Sequence, residues 1–425
     1  MKIIKASWVI TCDENSTIIK NGAVVYDKKI IDIGSEEFIE NKYPNIEITS
    51  LKENSVLMPG LINSHVHLEF SSNTTTLKYG NFMNWLNSVI SSRDKLVEKA
   101  TTKLISHKLL KMQKTGTTTI GAISSYSYDL EACIKSPINT VFFNEVIGSK
   151  PDMIDTLFAD FKVRLKSAQQ NKNDNFIPGI AIHSPYSVHP FLLRETLGLA
   201  RKEKLAVSSH FLESPEEFQW LHKDEGGFLS FFKNFLGQEK AVTKPMDFLN
   251  QFKDVDNLSF THCVEASQED FDKIKDLGAT VNHCVTSNRL LNNTKLDLSK
   301  LKEINFSIGT DGLSSNNSLS MFDELRNCLM VHTNENVIEF SKVLIKAATR
   351  NGSLALGLNK GELVKNKDAD MISIILPDCI EDENDLCMNV ILHTKFVESS
   401  IIGGKNVWND KKIILPDYSN FRFYN

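Results

Sequence analysis

The sequence predicts an α/β protein in which a (β/α)8 TIM barrel carries a small β-sandwich domain built from both chain termini. Three observations predict this fold class. Between residues 57 and 312, eight apolar runs of strand length alternate with longer amphipathic stretches, which is typical of βα units around a parallel sheet. Both ends of the chain carry short runs that alternate apolar and polar positions. Six of the 11 histidines fall at the ends of the predicted barrel strands, where a barrel gathers its functional side chains.

At both chain ends, short runs of alternating apolar and polar residues are separated by turns, which is the pattern of short strands. Near the amino terminus the predicted strands cover residues 2–9, 21–26, 29–33 and 46–50, with no room for a long helix. Near the carboxyl terminus they cover residues 371–376, 390–393, 397–402 and 405–407. We expect residues 1–56 and 360–425 to build one composite β domain.

The intervening region, residues 57–359, is predicted to be the barrel. Its eight strands are expected at residues 57–64, 116–123, 138–146, 177–183, 205–211, 258–264, 279–284 and 305–310. Eight parallel strands are the number that closes a TIM barrel. Amphipathic helices are expected at residues 153–169, 190–204, 268–276 and 319–332, with a last one at 338–356. About 46 residues separate the fifth and sixth strands, so residues 226–252 are interpreted as an insertion.

Composition and charge exclude several classes of protein. The chain has 425 residues, a net charge of -5 and a sequence pI near 6.2, which argues against a nucleic-acid partner. Its seven cysteines form no CxxC pair, as in a reduced protein of the cytosol. The amino terminus shows no signal peptide and no window is long enough to span a membrane, so we expect no membrane partner and a cytoplasmic location.

Residues of the types that bind metals recur where the predicted barrel strands end. His65 and His67 lie two residues apart on an extended segment and therefore project to the same side. The other strand ends carry His183, His210, His262, His283 and Asp311. Buried imidazoles without partners are costly, and a shared divalent cation such as Zn²⁺ or Fe²⁺ removes that cost. The sequence therefore predicts a metal site at the carboxyl ends of the strands.

The remaining histidines are better explained by surface or packing roles. They are His107, His222 and His332 in helical pattern, His189 at a helix start, and His393 in the terminal β region. For His283 we favour a structural role over a role at the metal.

Five motifs carry a specific resemblance. They are PGLINSHVH at 59–67, HSPY at 183–186, HFLE at 210–213, THCV at 261–264 and GTDGLSSNN at 309–317. In this order the chain resembles the amidohydrolase superfamily, in the subgroup of purine and chlorohydrolase-like deaminases. The resemblance implies one divalent ion per subunit, Zn²⁺ or Fe²⁺, held by His65, His67, His210 and Asp311. No lysine ends the fourth strand, where two-metal relatives carry a carboxylated one, so a mononuclear site is favoured.

The same resemblance implies catalytic roles for three residues. Asp311 would take a proton from water and later pass it to the leaving amine, while Glu213 would give a proton to a ring nitrogen. His262 would lie beside the attacking oxygen. His183 would meet the substrate.

Substrate contacts are expected from segments around the barrel mouth. After the metal pair come Glu69 and Phe70, followed by an aromatic segment, residues 79–86, that contains Trp85. These aromatic side chains can stack on a planar base, although core packing explains them equally well. Glu145 near the end of the third strand, Arg289 after the seventh and Ser315 after the eighth complete the predicted set of substrate-binding residues.

The segment after the metal pair is similar to that of aminodeoxyfutalosine deaminases, which act on an adenine nucleoside that carries a benzoate group in menaquinone biosynthesis. A cation is needed for that carboxylate, and Arg289 is the candidate, with a plain surface arginine as the alternative. Relatives that deaminate S-adenosylhomocysteine carry arginines near the third strand, where this chain has Glu145.

Several alternatives stay open. The chain could deaminate S-adenosylhomocysteine, methylthioadenosine, adenosine or guanine, or displace another leaving group from a heteroaromatic ring. It could also be a noncatalytic scaffold, although such a scaffold should lack part of the metal and proton-transfer set. The Phe-rich insertion could cap the pocket, form a homodimer contact or simply pack on the barrel.

Overall fold

The computed structural model describes residues 1–73 and 75–409, and within them sixteen strands form two sheets. In chain order the strands are β1 (Lys2–Ile10), β2 (Ile18–Tyr26), β3 (Ile30–Ser35), β4 (Ile48–Ser50), β5 (Ser55–Pro59), β6 (Leu61–Val66), β7 (Thr117–Ser124), β8 (Asn139–Val146), β9 (Phe176–Ile182), β10 (Val207–Phe211), β11 (Leu258–His262), β12 (Thr280–His283), β13 (Phe306–Ile308), β14 (Met371–Ile375), β15 (Ser399–Ile402) and β16 (Lys405–Asn409).

The helices of the described residues lie mostly between the strands β6 to β13. They are α1 (Glu36–Lys42), α2 (Phe82–Lys99), α3 (Thr102–Lys114), α4 (Leu130–Lys135), α5 (Ile154–Gln170), α6 (Pro190–Glu203), α7 (Pro215–Lys223), α8 (Gly227–Leu236), α9 (Pro245–Asn250), α10 (Gln268–Asp276), α11 (Val285–Leu290), α12 (Met321–Val331), α13 (Val337–Lys346), α14 (Gly352–Ala355) and α15 (Leu386–His393). A π-helical turn, Ala347–Asn351, joins α13 to α14. Among all described helices, none is long and apolar enough to cross a membrane.

Strands β6 to β13 form the predicted barrel. They pair in sequence order, and every pair is parallel. The first and last strands meet through the backbone amide of Asp311, which donates to His65 O at 3.0 Å, and the hydroxyl of Ser64, which donates to Ile308 O at 2.9 Å. Because the strands are parallel, their carboxyl ends all lie at one end of the barrel.

The two chain ends build the second sheet together, as predicted. Its order is β16-β15-β14-β5-β1-β2-β3, and β4 pairs with β1 beside this path. The central strand β1 pairs with β2 in antiparallel fashion and with β5 in parallel fashion. Apolar side chains from both ends, such as Val9, Leu57 and Met371, form one buried cluster. The domain boundaries at residues 56 and 360 stay a prediction, and residues 410–425 of the proposed β domain lie outside the described chain.

A buried ion pair joins the terminal sheet to the amino-terminal end of the barrel. Asp370 is 3% exposed and accepts hydrogen bonds from Lys360 Nζ at 2.7 Å and from Asn139 Nδ2 at 2.8 Å. Its second oxygen accepts from the backbone amide of Gly403 at 2.7 Å. Asn139 begins β8, so this cluster, which we call the Asp370 joint, links both sheets.

The prediction of one strand over residues 57–64 is wrong, because the apolar run divides between the two sheets. Its first part is β5, which pairs with β1 and β14, and its second part is β6 of the barrel. The break falls at Gly60, where an added Cβ would lie 2.1 Å from Thr118 Oγ1. The close approach of β7 therefore requires glycine at the crossing point.

The prediction of a strand at residues 390–393 is also wrong, because these residues end the helix α15. The helix buries Leu386, Val390 and Ile391, and this apolar run packs into the main core of the molecule. A short apolar run fits a buried strand or a buried helix equally well, and packing decides between them here.

The interpreted insertion, residues 226–252, consists of α8 and α9 with a connecting loop. Phe228 and Phe232 of α8 are buried against Tyr186 and Trp220, with ring centroids 4.5 Å apart for the Phe228–Tyr186 pair and 5.2 Å apart for the Phe232–Trp220 pair. Phe235 on the same helix is 63% exposed. Helix α8 thus packs on the barrel near the end of β9, and part of its apolar face stays open.

Candidate metal centre and catalytic site

Six ionisable side chains converge at the carboxyl-terminal end of the barrel. His65 lies in β6 and His67 directly follows it, while His210 lies in β10 and His262 ends β11. Glu213 follows β10 and Asp311 follows β13. Five of the six are less than 9% exposed, and His67 is half-buried. The barrel topology therefore brings together all the metal and catalytic residues that the sequence predicted.

The four predicted ligands lie beside one another and belong to two groups that share His65. The Nε2 atoms of His67 and His210 are 3.3 Å apart. Oδ1 of Asp311 lies 3.6 Å from Nε2 of His67 and 3.9 Å from Nε2 of His65. Ligand atoms of His65, His67 and Asp311 form one group with metal-binding spacing, and those of His65, His210 and His262 form another.

The chemistry of these atoms fits a divalent cation. Nδ1 of His210 donates to the carbonyl of His183 at 2.6 Å, which leaves a lone pair on Nε2. Burial lowers the pKa of His65 and His210 well below the usual value, so both imidazoles are neutral. Nε2 of His65 is buried and has no hydrogen-bond partner among the described residues. Neutral nitrogens that face each other and a carboxylate are unfavourable without a proton or cation between them, and a metal ion satisfies all of them.

Asp311 is held as a carboxylate by its surroundings. Its Oδ2 accepts from the hydroxyls of Ser287 at 2.8 Å and Ser315 at 2.7 Å, while Oδ1 accepts from the amide of Gly312 at 2.8 Å. Burial opposes ionisation, but the interactions with the neighbouring imidazoles of His67, His262 and His65 together with the Ser315 hydroxyl outweigh it and keep the pKa of Asp311 below its usual range. The oxygen Oδ1 is the one that faces the histidines.

Glu213 and His262 form a second pair beside the predicted ligands. Nε2 of His262 lies 3.6 Å from Oε1 of Glu213, and its Nδ1 contacts Oδ1 of Asn288 at 2.8 Å. An amide oxygen only accepts, so Nδ1 of His262 carries a proton and Nε2 has a free lone pair. Burial, together with the charge of Asp311, raises the pKa of the Glu213 carboxyl well above its usual value. A carboxyl that holds its proton near neutral pH can act as a general acid.

Strained backbone accompanies these groups. Leu212, His262, Cys263 and Asp311 have φ values of 45°, 72°, 53° and 57°, in the left-handed region that side chains other than glycine seldom adopt. Such conformations cost free energy and cluster at functional sites. The strain at His262 and Asp311 lies at two of the four strand ends that supply site residues.

Two of the predicted substrate-binding residues, His183 and Glu145, lie beside His210. Their ligand atoms and that of His210 are all within 4.8 Å of one another. Nδ1 of His183 contacts Ser187 Oγ at 2.6 Å. Glu145 is 1% exposed, and its Oε2 accepts from the hydroxyl of Ser125, while Oε1 is buried without a partner in the described chain. Glu145 therefore presents an unused acceptor atom next to the predicted metal ligands.

Glu69 binds backbone amides of a loop at the barrel mouth, and its contact with the substrate stays a prediction. It is 1% exposed, and its carboxylate accepts from the backbone amides of Ser125 at 2.7 Å, Tyr126 at 3.0 Å and Tyr128 at 2.9 Å. Burial raises the pKa of Glu69 to about 7. The carboxylate thus anchors the loop that follows β7 at the barrel mouth, and neighbouring Phe70 is half-buried in the turn after it.

Trp85 and Arg289 lie on the rim. Trp85 is half-buried on α2, its Nε1 donates to Ser314 O at 2.8 Å, and its ring is 5.4 Å from that of Phe82. Arg289 is exposed on α11, where the amide of Gly80 donates to the neighbouring Leu290 carbonyl at 2.8 Å. The hydroxyl of Ser315 is directed to Asp311, so this residue supports the carboxylate. Substrate contacts by these residues stay predictions.

The other histidines occupy separate places. His283 and His332 are buried together with their Nε2 atoms 2.9 Å apart, and Nδ1 of His189 caps α6 by accepting from the amide of Phe191 at 3.2 Å. His393 ends α15.

Sequence reasoning missed several polar residues that hold the site in place. They are Thr261 beside His65, Ser287 on Asp311, Asn288 on His262, and Glu217, whose Oε2 accepts from the backbone amide of Glu213 at 2.7 Å. Ser287 and Asn288 immediately precede Arg289, which was selected for its charge. The feature that could have identified Ser287 and Asn288 is their position in α11, the helix that follows the seventh barrel strand.

Comparison with known proteins agrees with this geometry. Residues 56–407 match the amidohydrolase family. The chain is 45% identical over 405 residues to the aminodeoxyfutalosine deaminase of Nitratiruptor sp.. This alignment covers 95% of this chain and 99% of that protein. It is 36% identical over 413 residues to an adenosine deaminase of Helicobacter pylori. This alignment covers 96% of this chain and 99% of that protein.

A solved structure shares the whole fold. The crystal structure of Helicobacter pylori aminofutalosine deaminase in complex with methylthio-coformycin superposes with a TM-score of 0.91 at 34% sequence identity. The match covers 96% of this chain and 100% of the other.

Proposed function

The chain belongs to the amidohydrolase family, and from that premise we propose that it is a metal-dependent hydrolytic deaminase of 6-amino-6-deoxyfutalosine, forming futalosine and ammonia in menaquinone biosynthesis. The observation that carries the proposal is the 45% identity, across 95% of the chain, to a protein of that activity. The complete set of six site residues supports catalysis and argues against a noncatalytic scaffold.

Hydrolytic deamination of an adenine ring replaces its amino group by the oxygen of water. A C–O bond forms at the ring carbon, the C–N bond breaks, and the protons of water are redistributed to the ring nitrogen and to ammonia. A divalent cation held by His65, His67, His210 and Asp311 would supply the Lewis acidity that lowers the pKa of water to near neutrality. The protein itself must then move two protons.

Glu213 is proposed to donate the first proton, to the ring nitrogen next to the attacked carbon, and to regain a proton from the added hydroxyl as that C–OH becomes the carbonyl. Its raised pKa supports this role, because the carboxyl holds its proton until the nitrogen becomes basic as the oxygen adds. The amide of Glu213 is fixed by Glu217, which limits movement of the acid relative to His262. His262, neutral and bonded to Asn288, can orient the attacking oxygen through its free nitrogen.

Asp311 is proposed to carry the second proton, from water to the departing amine. Its low pKa makes it a carboxylate at neutral pH, ready to accept a proton during attack. The two serine hydroxyls on Oδ2 leave Oδ1 as the oxygen oriented toward the histidines.

The remaining predicted contacts would recognise the nucleoside. Glu145 offers an unused carboxylate oxygen that suits a substrate hydroxyl or amino group, and His183 lies beside it. The aromatic ring of Trp85 packs against that of Phe82. Arg289 is the proposed partner of the benzoate carboxylate. Its exposed position on α11 is compatible with binding the outermost part of a long substrate.

A substrate screen tests the proposal. Ammonia release would be measured with zinc-loaded protein on aminodeoxyfutalosine, adenosine, methylthioadenosine, S-adenosylhomocysteine and guanine. We expect the highest kcat/KM for aminodeoxyfutalosine. Adenosine is the second candidate, favoured by the 36% identity to an adenosine deaminase, and a higher kcat/KM for adenosine would replace the first assignment.

The choice between Zn²⁺ and Fe²⁺ rests on availability, because both suit histidine and carboxylate ligands. Metal analysis of the purified protein decides it. A cytoplasmic location and a homodimer stay predictions.

A further inference from the structure

A buried carboxylate outside the proposed catalytic set joins α11, which follows β12, to the loop that follows β13. Glu324 lies on α12 and is 1% exposed. One oxygen accepts from the backbone amide of Thr286 at 2.9 Å. The other accepts from the hydroxyl of Thr286 at 2.6 Å and from the side-chain amide of Asn316 at 3.1 Å.

Both residues that Glu324 binds are direct neighbours of the serines that hold Asp311. Thr286 precedes Ser287, and Asn316 follows Ser315. The two serine hydroxyls donate to the same oxygen, Oδ2 of Asp311, at 2.8 Å and 2.7 Å. This leaves Oδ1 directed to His65 and His67.

We propose that Glu324 is a positioning residue for Asp311: by holding Thr286 and Asn316 it aims both serine hydroxyls at Oδ2 and fixes Oδ1 toward the cation site. The inference rests on the proposed function in that it takes Asp311 as a metal ligand. Glu324 is not one of the residues proposed to hold the cation or bind the substrate. It therefore acts through α11 and the loop that follows β13.

The geometry explains why a carboxylate is needed at this position. The two oxygens of Glu324 accept three hydrogen bonds and use no donor. In Glu324→Gln, an NH2 group would replace one acceptor and face the NH2 of Asn316. If that NH2 group turned to the Thr286 hydroxyl instead, the hydroxyl oxygen could accept beside the bond from Asn327 at 2.8 Å, but its own proton would lose its acceptor. Glu324→Gln should therefore break the contact with Thr286 of α11 or the contact with Asn316 in the loop after β13.

The test measures zinc affinity of the metal-free protein by competition with a chromogenic chelator, together with kcat and KM. For Glu324→Gln we expect zinc affinity and kcat each to fall by about 10- to 100-fold, as for loss of other groups that orient metal ligands, with little change in KM. The matched control is Asp370→Asn, an equally buried carboxylate at the other end of the barrel. It should keep normal zinc affinity even if its melting temperature falls.

The proposed route through the serines is tested by coupling. In a Ser287→Ala, Ser315→Ala background, Glu324→Gln should lower zinc affinity by less than twofold further, because the hydroxyls it aims are gone. An equal loss in both backgrounds would overturn the route, and wild-type zinc affinity in Glu324→Gln would overturn the proposal.

A milder variant keeps the test valid if Glu324→Gln does not fold. Thr286→Val removes the hydroxyl contact at the same side-chain shape and should still lower zinc affinity several-fold, whereas unchanged affinity would contradict the proposal. Because zinc affinity is measured without substrate, failure of the nucleoside screen would refute the proposed activity and leave this result standing.

Discussion

Both ends of the barrel bury ionisable groups, but the two ends differ in whether the polar atoms of these groups have hydrogen-bond partners. At the amino-terminal end, both oxygens of Asp370 accept hydrogen bonds, and its partner Lys360 is paired with it at 2.7 Å. At the carboxyl-terminal end, Nε2 of His65, Nε2 of His262 and Oε1 of Glu145 are buried without partners among the described residues. Burying polar atoms unpaired costs stability, so the second end is built for something that binds there.

The largest expected effect is on turnover, at the carboxyl-terminal end. Asp311→Asn and Glu213→Gln each remove a proton carrier while nearly preserving shape, so kcat should fall by about 10² to 10⁴. Steady-state ammonia release measures this, and circular dichroism checks that the fold is intact. Near-normal turnover of either folded variant would refute its assigned role.

The next effect belongs to the amino-terminal end and should appear in stability alone. Lys360→Met leaves the Asp370 carboxylate buried without its cation, which typically costs about 3 to 5 kcal/mol. Urea unfolding of the metal-free protein measures the loss. At temperatures where the variant is folded, kcat should match wild type, and a parallel loss of kcat would show that the two ends are not independent.

Removing the metal should affect both activity and stability through the carboxyl-terminal end. A chelator should abolish ammonia release, and added Zn²⁺ or Fe²⁺ should restore it. At a free metal concentration of about 100 times Kd, the bound ion stabilises the fold by about 2.7 kcal/mol. Lys360→Met should show the same metal-dependent increment in unfolding free energy, while Asp311→Asn should show a smaller one.

The smallest effect is an acid sensitivity from the His283–His332 pair. Burial lowers the pKa of His332 to about 4, so its imidazole is neutral in the folded protein. Below the usual pKa of about 6.5 the unfolded chain binds a proton that the folded chain does not. Stability should therefore fall as pH drops from 6.5 toward 4 and flatten below it. His332→Gln should weaken this slope in urea unfolding, and an unchanged slope would exclude His332 as its source.

From the sequence, the residues of the candidate site could be predicted better than the polar residues that hold them in place. His65, His67, His210, His262 and Asp311 were identifiable because strand periodicity places each at a strand end, and parallel strands bring those ends together. The supporting contacts join residues by tertiary folding, as when Glu324 reaches Thr286, which lies 38 positions away. No local pattern encodes such a pair.

Two elements of the fold escaped prediction for similar reasons. The run at 57–64 is apolar throughout, so the pattern could not show that Gly60 divides it between two sheets. Residues 386–393 form a helix because the main core covers their apolar face. The left-handed backbone at His262 and Asp311 likewise had no glycine to mark it.

The most direct measurement of the central claim is ammonia release from aminodeoxyfutalosine by zinc-loaded wild-type protein, with metal-free protein and Glu213→Gln in parallel. We predict rapid release by the wild type, with futalosine as the product by mass spectrometry, and release reduced by at least about 10² in the other two samples. Equal release with and without metal, or no release from any adenine nucleoside, would contradict the assignment of this barrel as a metal-dependent deaminase.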